Sequence, residues 1–246
     1  MRIQYFSDLH LEHLKEYPKI QAKAQILCLL GDIGHPFSEL YKDFLIDISC
    51  KFVKIFMITG NHEYYSKNPN FKEKTMNENN EKIKLIIKEN NLTNVSFLND
   101  SCEYYDDYLF VGTTLWSHIK DKKNISNDTN YIKDLNVDDI NELHHKCVDF
   151  LKETFKSNND KQIIVLSHFL PSFQLIDDEY LSFGKILQCF ASHNEELINK
   201  PVKLWLYGHT HKPKKSIINF IPITCNPIGY SGENSNPNFE EIIILI

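Results

Sequence analysis

The stretch Ile26-Leu-Cys-Leu-Leu-Gly-Asp32 decides the fold: five apolar residues in a row, then a glycine, then an acid. A run so short and so apolar reads as a strand buried on both faces, as strands of parallel sheets are. Working outward, similar β-rich runs lie at Ile3 to Phe6, Phe52 to Ile58, Val95 to Leu98, Tyr108 to Val111, Gln162 to Ser167 and Lys203 to Tyr207. Helix-like segments at Phe37 to Cys50, Glu78 to Asn90 and Val137 to Phe155 fall between them. Strands alternating with helices imply crossover units and a mainly parallel sheet. The tail, with runs at Lys215 to Ile218, Ile221 to Cys225 and Glu240 to Leu245, reads as antiparallel hairpins. The expected fold class is therefore a sheet-rich α/β sandwich. With 246 residues, 42% of them apolar, the chain can bury a substantial core, and one domain over residues 1–246 is the simplest division. No internal repeat or Gly/Ser linker interrupts it, although Asn68 to Asn80 is polar enough for a mobile connection.

The polar clusters fall where chemistry would. Directly after five of the runs come Asp8-Leu9-His10, Gly31-Asp32, Gly60-Asn61-His62-Glu63, Ser167-His168 and Gly208-His209-Thr210-His211. Ligands of α/β sheets bind in the crevice outside the carboxyl ends of the strands, so these ends are expected to converge. Asp8 and His10, two apart, can grip one cation from a turning segment, and His209 and His211 repeat the arrangement. Carboxylate, imidazole and amide oxygen suit divalent ions such as Mn²⁺, Fe²⁺ and Zn²⁺, and the lack of thiolates disfavours a structural zinc site. Seven donors (Asp8, His10, Asp32, Asn61, His168, His209 and His211) exceed one tetrahedral ion and suit two that share Asp32 as a bridge. Two such ions can clamp a phosphoryl group and hold a bridging hydroxide as nucleophile. His62, beside Asn61, is the candidate acid for the departing oxygen.

These blocks, in this order, resemble the signature of the calcineurin-like metallophosphoesterases, and they span residues 8 to 211. The resemblance implies a four-layer fold of two mixed β-sheets packed face to face and flanked by helices. It implies that Asp8, His10, Asp32 and His211 hold one metal, and that Asp32, Asn61, His168 and His209 hold the other. Mn²⁺ is foremost, with Fe, Zn or Mg as alternatives. His62 would contact the scissile phosphate and assist the leaving group, and Asn61 and His35 join it as expected substrate contacts. Gly112 to Trp116, His168 to Ser172 and Asn226 to Tyr230 look like a cytosolic branch of the superfamily. That branch leads one to expect a second histidine at Phe169 and a basic residue at Ile228, so the pocket here is expected to be less polar.

Composition bounds the partners. A net charge of −6 and a single arginine, Arg2, weigh against nucleic acid, whose binders carry basic patches. The N-terminus lacks the apolar core of about 7 to 15 residues of a signal peptide, and no run nears the roughly 20 of a membrane span. Six cysteines without a C-x-x-C pair read as free, buried thiols, so a cytoplasmic chain acting on a small phosphoester is expected. Glu63 reads as a hydrogen-bonding support for the metal loop. Lys212, Lys214 and Lys215 read as a solvated face. The long polar stretch Trp116 to Asp138 reads as a wall of the substrate pocket. Three alternatives stand beside the hydrolase of phosphomonoesters or phosphodiesters: a scaffold that keeps the fold without catalysis, a nuclease, and a protein phosphatase. A scaffold would be expected to have lost ligands or His62, and both are present.

Overall fold

The computed structural model describes residues 1–66, 73–122, 126–233 and 238–245. In chain order its main elements are β1 (Arg2–Phe6), β2 (Ile26–Leu30), α1 (Glu39–Ser49), β3 (Lys54–Ile58), α2 (Met76–Glu89), β4 (Val95–Phe97), β5 (Ser101–Tyr105) and β6 (Tyr108–Gly112). There follow α3 (Asp128–Tyr131), α4 (Val137–Ser157), β7 (Gln162–Leu166), β8 (Val202–Tyr207), β9 (Lys214–Ile218), β10 (Ile221–Cys225) and β11 (Ile242–Ile244). Two sheets form, in the orders β11-β1-β2-β3-β4 and β5-β6-β7-β8-β10-β9. Their interior pairings are parallel, and antiparallel pairs stand only at the edges: β11 on β1, β5 on β6 and β9 on β10. Both sheets are thus mixed.

Residue parity along the strands sets the layers. Ile3, Tyr5, Cys28, Leu30, Phe56 and Ile58 of the first sheet meet Phe110, Ile164, Leu166, Leu204 and Leu206 of the second in a shared core. The alternate residues of the first sheet, Leu27, Leu29, Ile55 and Met57, face Phe44, Ile48, Ile83 and Ile86 of α1 and α2. Those of the second, Val111, Ile163, Val165 and Trp205, face Ile140, Cys147 and Leu151 of α4. Strands buried on both faces explain why their sequences show no polar alternation.

Three expectations need correction. β11 does not join the β9–β10 hairpin but crosses to the other sheet and pairs Ile243 with Ile3. The connection Asn68 to Asn80 lies partly outside the described residues, and its end is helix: Thr75 caps α2, its hydroxyl accepting from the Glu78 N–H while the Glu78 carboxylate accepts from Thr75 N–H. All six cysteines are free, but Cys50 and Cys102 are exposed. Among the described residues no helix is long and apolar enough to cross a membrane.

Candidate active site

Five strand ends deliver the polar blocks to one place. Asp8 and His10 follow β1, Asp32 follows β2, Asn61 and His62 follow β3, His168 follows β7, and His209 and His211 follow β8. The backbone turns hard there. Asp8, His10, Asp32, His209 and His211 all carry positive φ, between 49° and 74°, in the left-handed region that non-glycine residues rarely enter. Gly60 permits the closest approach. A Cβ on it would sit 2.6 Å from the His168 ring and collide with Asp32 Oδ1, so the site needs glycine for space.

Among the clusters of donor atoms that result, Asp8 groups with His10 and His211, and Asp32 with His168 and His209, while Asp32 also groups with His10 and His62, and Glu12 with His13 and His62. In the first, His10 Nδ1 is 3.1 Å from Glu12 Oε1 and His211 Nδ1 is 2.6 Å from Glu233 Oε2. Each ring gives its Nδ1 proton to a carboxylate, which leaves the two Nε2 lone pairs facing each other at 3.0 Å. In the second cluster, His168 Nδ1–H donates to Leu30 O at 2.8 Å. Its Nε2 then faces Asp32 Oδ2, Asn61 Oδ1 and His209 Nδ1, each 3.2 Å away. Acceptors opposed at such distances require a proton or a cation between them. Protons are one answer: burial would lower His168, but the Asp32 carboxylate outweighs it and pushes the ring up to about 10. Burial likewise opposes protonation of His211, yet its bond to Asp8 pushes it up to about 9. Divalent ions are the other answer, since neutral imidazole, carboxylate and amide oxygen are their donors. The residues present fit them.

Supports stand behind the donors. Glu63, fully buried, accepts from Asp32 N–H at 3.0 Å, Ile33 N–H at 2.8 Å and Gly60 N–H at 2.7 Å, tying the β2 and β3 ends together. Asp128 Oδ1 accepts from Asn61 Nδ2 and from Tyr65 OH, both at 2.8 Å, so the Asn61 amide presents its oxygen to the cluster. Asp8 accepts from His209 N–H at 3.0 Å and Asp32 from His62 N–H at 2.8 Å. His62 Nδ1 lies 3.0 Å from Glu12 Oε1, its ring stacks on Tyr65 with centroids 4.1 Å apart, and Nε2 lies 3.3 Å from Tyr230 OH. Burial would depress the His62 pKa, but Asp32 and Glu12 outweigh it and hold it above the ordinary imidazole value.

A family model described as calcineurin-like phosphoesterase matches residues 1–213. The chain belongs to that family. An uncharacterized protein of Acanthamoeba polyphaga mimivirus is 34% identical to this phosphoesterase over 97% of this chain and 95% of its own. Among solved structures, the phosphopantetheinyl hydrolase of Mycobacterium tuberculosis superposes with a TM-score of 0.68, covering 93% of this chain and 89% of that one. At 13% identity, that likeness shows the shared fold of two mixed sheets with flanking helices. The family implies divalent metal ions, and the phosphoesterase presents clusters that suit them.

All seven expected donors and His62 meet at the phosphoesterase's cavity or directly behind it. His35 does not. Among the described residues it is absent from the cavity lining; it is buried in the turn before α1, where its Nδ1 accepts from Phe37 N–H at 3.2 Å. Of the described residues in the stretch Trp116 to Asp138, Ser126, Asn127 and Asp128 line the cavity, whereas Trp116, Ile119 and Ile132 are buried in the core. Lys212 pairs with Glu179, Lys214 donates to the Ile176 carbonyl and Lys215 pairs with Glu241, so these lysines face other groups than the site. Phe169 packs on the His209 ring at 4.3 Å and Ile228 is buried against the first sheet's helix-facing core, and neither is among the described residues that line the cavity. Sequence reasoning missed Glu12, Asp128 and Glu233. Glu12 had a signal: it continues the two-residue spacing of Asp8 and His10.

Proposed function

We propose that this phosphoesterase hydrolyses small phosphomonoesters or phosphodiesters with two divalent ions, Mn²⁺ foremost. One observation carries the reading: two clusters of opposed acceptor atoms, joined through Asp32, open on a cavity beside an imidazole aimed by a carboxylate. Asp8, His10, Asp32 and His211 would hold one ion, and Asp32, Asn61, His168 and His209 the other. When bound, such a pair neutralises charge on the phosphoryl group and makes water nucleophilic at neutral pH. The remaining work falls to the chain. Glu12 and Tyr65 fix the His62 ring so that Nε2 faces the cavity, where it gives its proton to the ester oxygen as the phosphorus–oxygen bond breaks. Asn61 and His62 flank the phosphoryl group. Residues 1–246 act as one domain, since both sheets feed a single core and a single site. Free thiols accord with a reducing compartment, here the cytoplasm.

Asp128 acts at one remove. It orients the Asn61 amide, and outer partners of this kind typically govern metal affinity by about 10–100-fold. Asp128→Ala is expected to weaken one of two Mn²⁺ sites by that factor while the other is unchanged, as read by titration of metal-stripped protein. Equal weakening of both sites would assign Asp128 a general structural role.

The direct test is hydrolysis of bis-p-nitrophenyl phosphate beside p-nitrophenyl phosphate by metal-stripped protein with and without Mn²⁺. Metal-dependent turnover is expected, and the rate ratio ranks diesters against monoesters. Protein that binds no metal and turns over neither compound would instead be a scaffold.

A further inference from the structure

The cavity of about 420 Å³ has two unlike ends. One is the polar cage. The other is the segment 176–190, which presents Ile176, Tyr180, Phe183, Ile186, Leu187 and Phe190. Phe183 is 53% exposed and Ile186 48%, large apolar side chains left uncovered where they border the cavity. Isolated exposed apolar residues are ordinary, but a contiguous group lining a concave site is characteristic of ligand pockets.

This wall is built rather than loose. Lys214 Nζ donates to the Ile176 carbonyl at 2.9 Å. Gln188 Oε1 accepts from Lys120 N–H at 2.8 Å and Asp121 N–H at 2.9 Å, and its amide donates to Asp121 O at 3.1 Å. Among the segment's charged groups, Lys185 pairs with Asp121, Glu179 with Lys212, and Asp177 accepts from Glu179 N–H. Asp177, Asp178, Glu179 and Lys185 are all absent from the described lining residues, which the apolar side chains supply instead. The polar rim is acidic, with Asp128 and Glu233, and no lysine or arginine is among the described lining residues. A second anionic group on a substrate would meet carboxylates there with no lysine or arginine to compensate its lost hydration, the lining imidazoles of His62 and His211 being already held by Glu12 and Glu233.

We propose that residues 176–190 form a subsite for an uncharged apolar arm, so that the substrate class is a phosphoester of an apolar alcohol rather than a polyphosphate or an ester with a second acidic group. The proposal rests on the hydrolase reading for the placement of the phosphoryl group in the cage. It assigns selectivity to packing, where each buried methylene changes affinity about fourfold.

Phosphonates separate this from catalysis, since they carry the phosphoryl group without a scissile ester bond. In calorimetric titrations of Mn²⁺-loaded protein, hexylphosphonate is expected to bind at least about tenfold tighter than methylphosphonate, and 6-phosphonohexanoate about tenfold weaker than hexylphosphonate. The half-exposed pair Phe183→Ser/Ile186→Ser should bring the hexyl and methyl compounds to within about threefold of each other. Three results would overturn the subsite: hexyl and methyl compounds binding alike in the wild type, the carboxylate compound binding as tightly as the hexyl one, or the double variant keeping the full preference. If the binding preference stands while hexyl p-nitrophenyl phosphate goes unhydrolysed, the hydrolase reading fails and the subsite remains.

Discussion

Asp32→Ala is expected to abolish metal retention and turnover together. Asp32 is the one side chain shared by both expected donor sets, and its oxygens lie near His10 and His62 on one side and His168 and His209 on the other. Its Oδ2 lies 3.2 Å from His168 Nε2, its Oδ1 accepts from His62 N–H, and its own N–H is held by Glu63. Alanine removes both oxygens at once and leaves His168 and His209 without their carboxylate. Because outer partners alone govern about 10–100-fold in metal affinity, loss of a shared ligand should exceed about 100-fold. Metal content after gel filtration and hydrolysis of bis-p-nitrophenyl phosphate read the two effects. Two metals per chain in Asp32→Ala would sink the bridge assignment, and loss of turnover with metals retained would recast Asp32 as a group acting on substrate alone.

His62→Ala should behave in the opposite manner, keeping its metals while kcat falls by about 10²–10⁴-fold on an ester with a poor leaving group. The drop should shrink for p-nitrophenyl esters, whose anion departs without a proton. A flat response across leaving groups would remove His62 from the acid role. Glu12→Gln tests the aim of that ring: a smaller loss with the same leaving-group dependence is expected, and Glu12→Gln/His62→Ala should be no slower than His62→Ala. Because Glu12 also holds His10 Nδ1, a further drop in the double variant would show that it works through the metal ligand instead.

How much of this was legible follows from the kind of signal each part leaves. Ile26 to Leu30 is found to the residue because a strand buried on both faces must be apolar throughout and a glycine ends it. The donors were legible because short polar residues and glycines interrupt apolar runs at the same point in five places. β5 was not: its residues alternate in burial on a sheet edge, and Ser101-Cys-Glu-Tyr-Tyr105 carries little apolar pattern. The apolar wall was also hidden, because Asp178 to Cys189 is a 3₁₀ segment broken at Gly184, whose φ of 58° defeats helical periodicity. Asp128 and Glu233 act through contacts across 67 and 22 residues of sequence, distances over which spacing says nothing, whereas Glu12 keeps the two-residue spacing toward His10 and only its reach to His62, across 50 residues, was hidden.

The donors come from both halves of the chain: Asp8, His10, Asp32 and Asn61 from the first sheet, His168, His209 and His211 from the second. If these residues hold the metals as proposed, a chain leaving the ribosome carries only half a chelator until residue 211 has emerged and the two sheets have closed on each other. Metal choice would then be made late, by a nearly finished protein, and an ion caught early by the N-terminal half could still exchange before the histidines of the second sheet joined it.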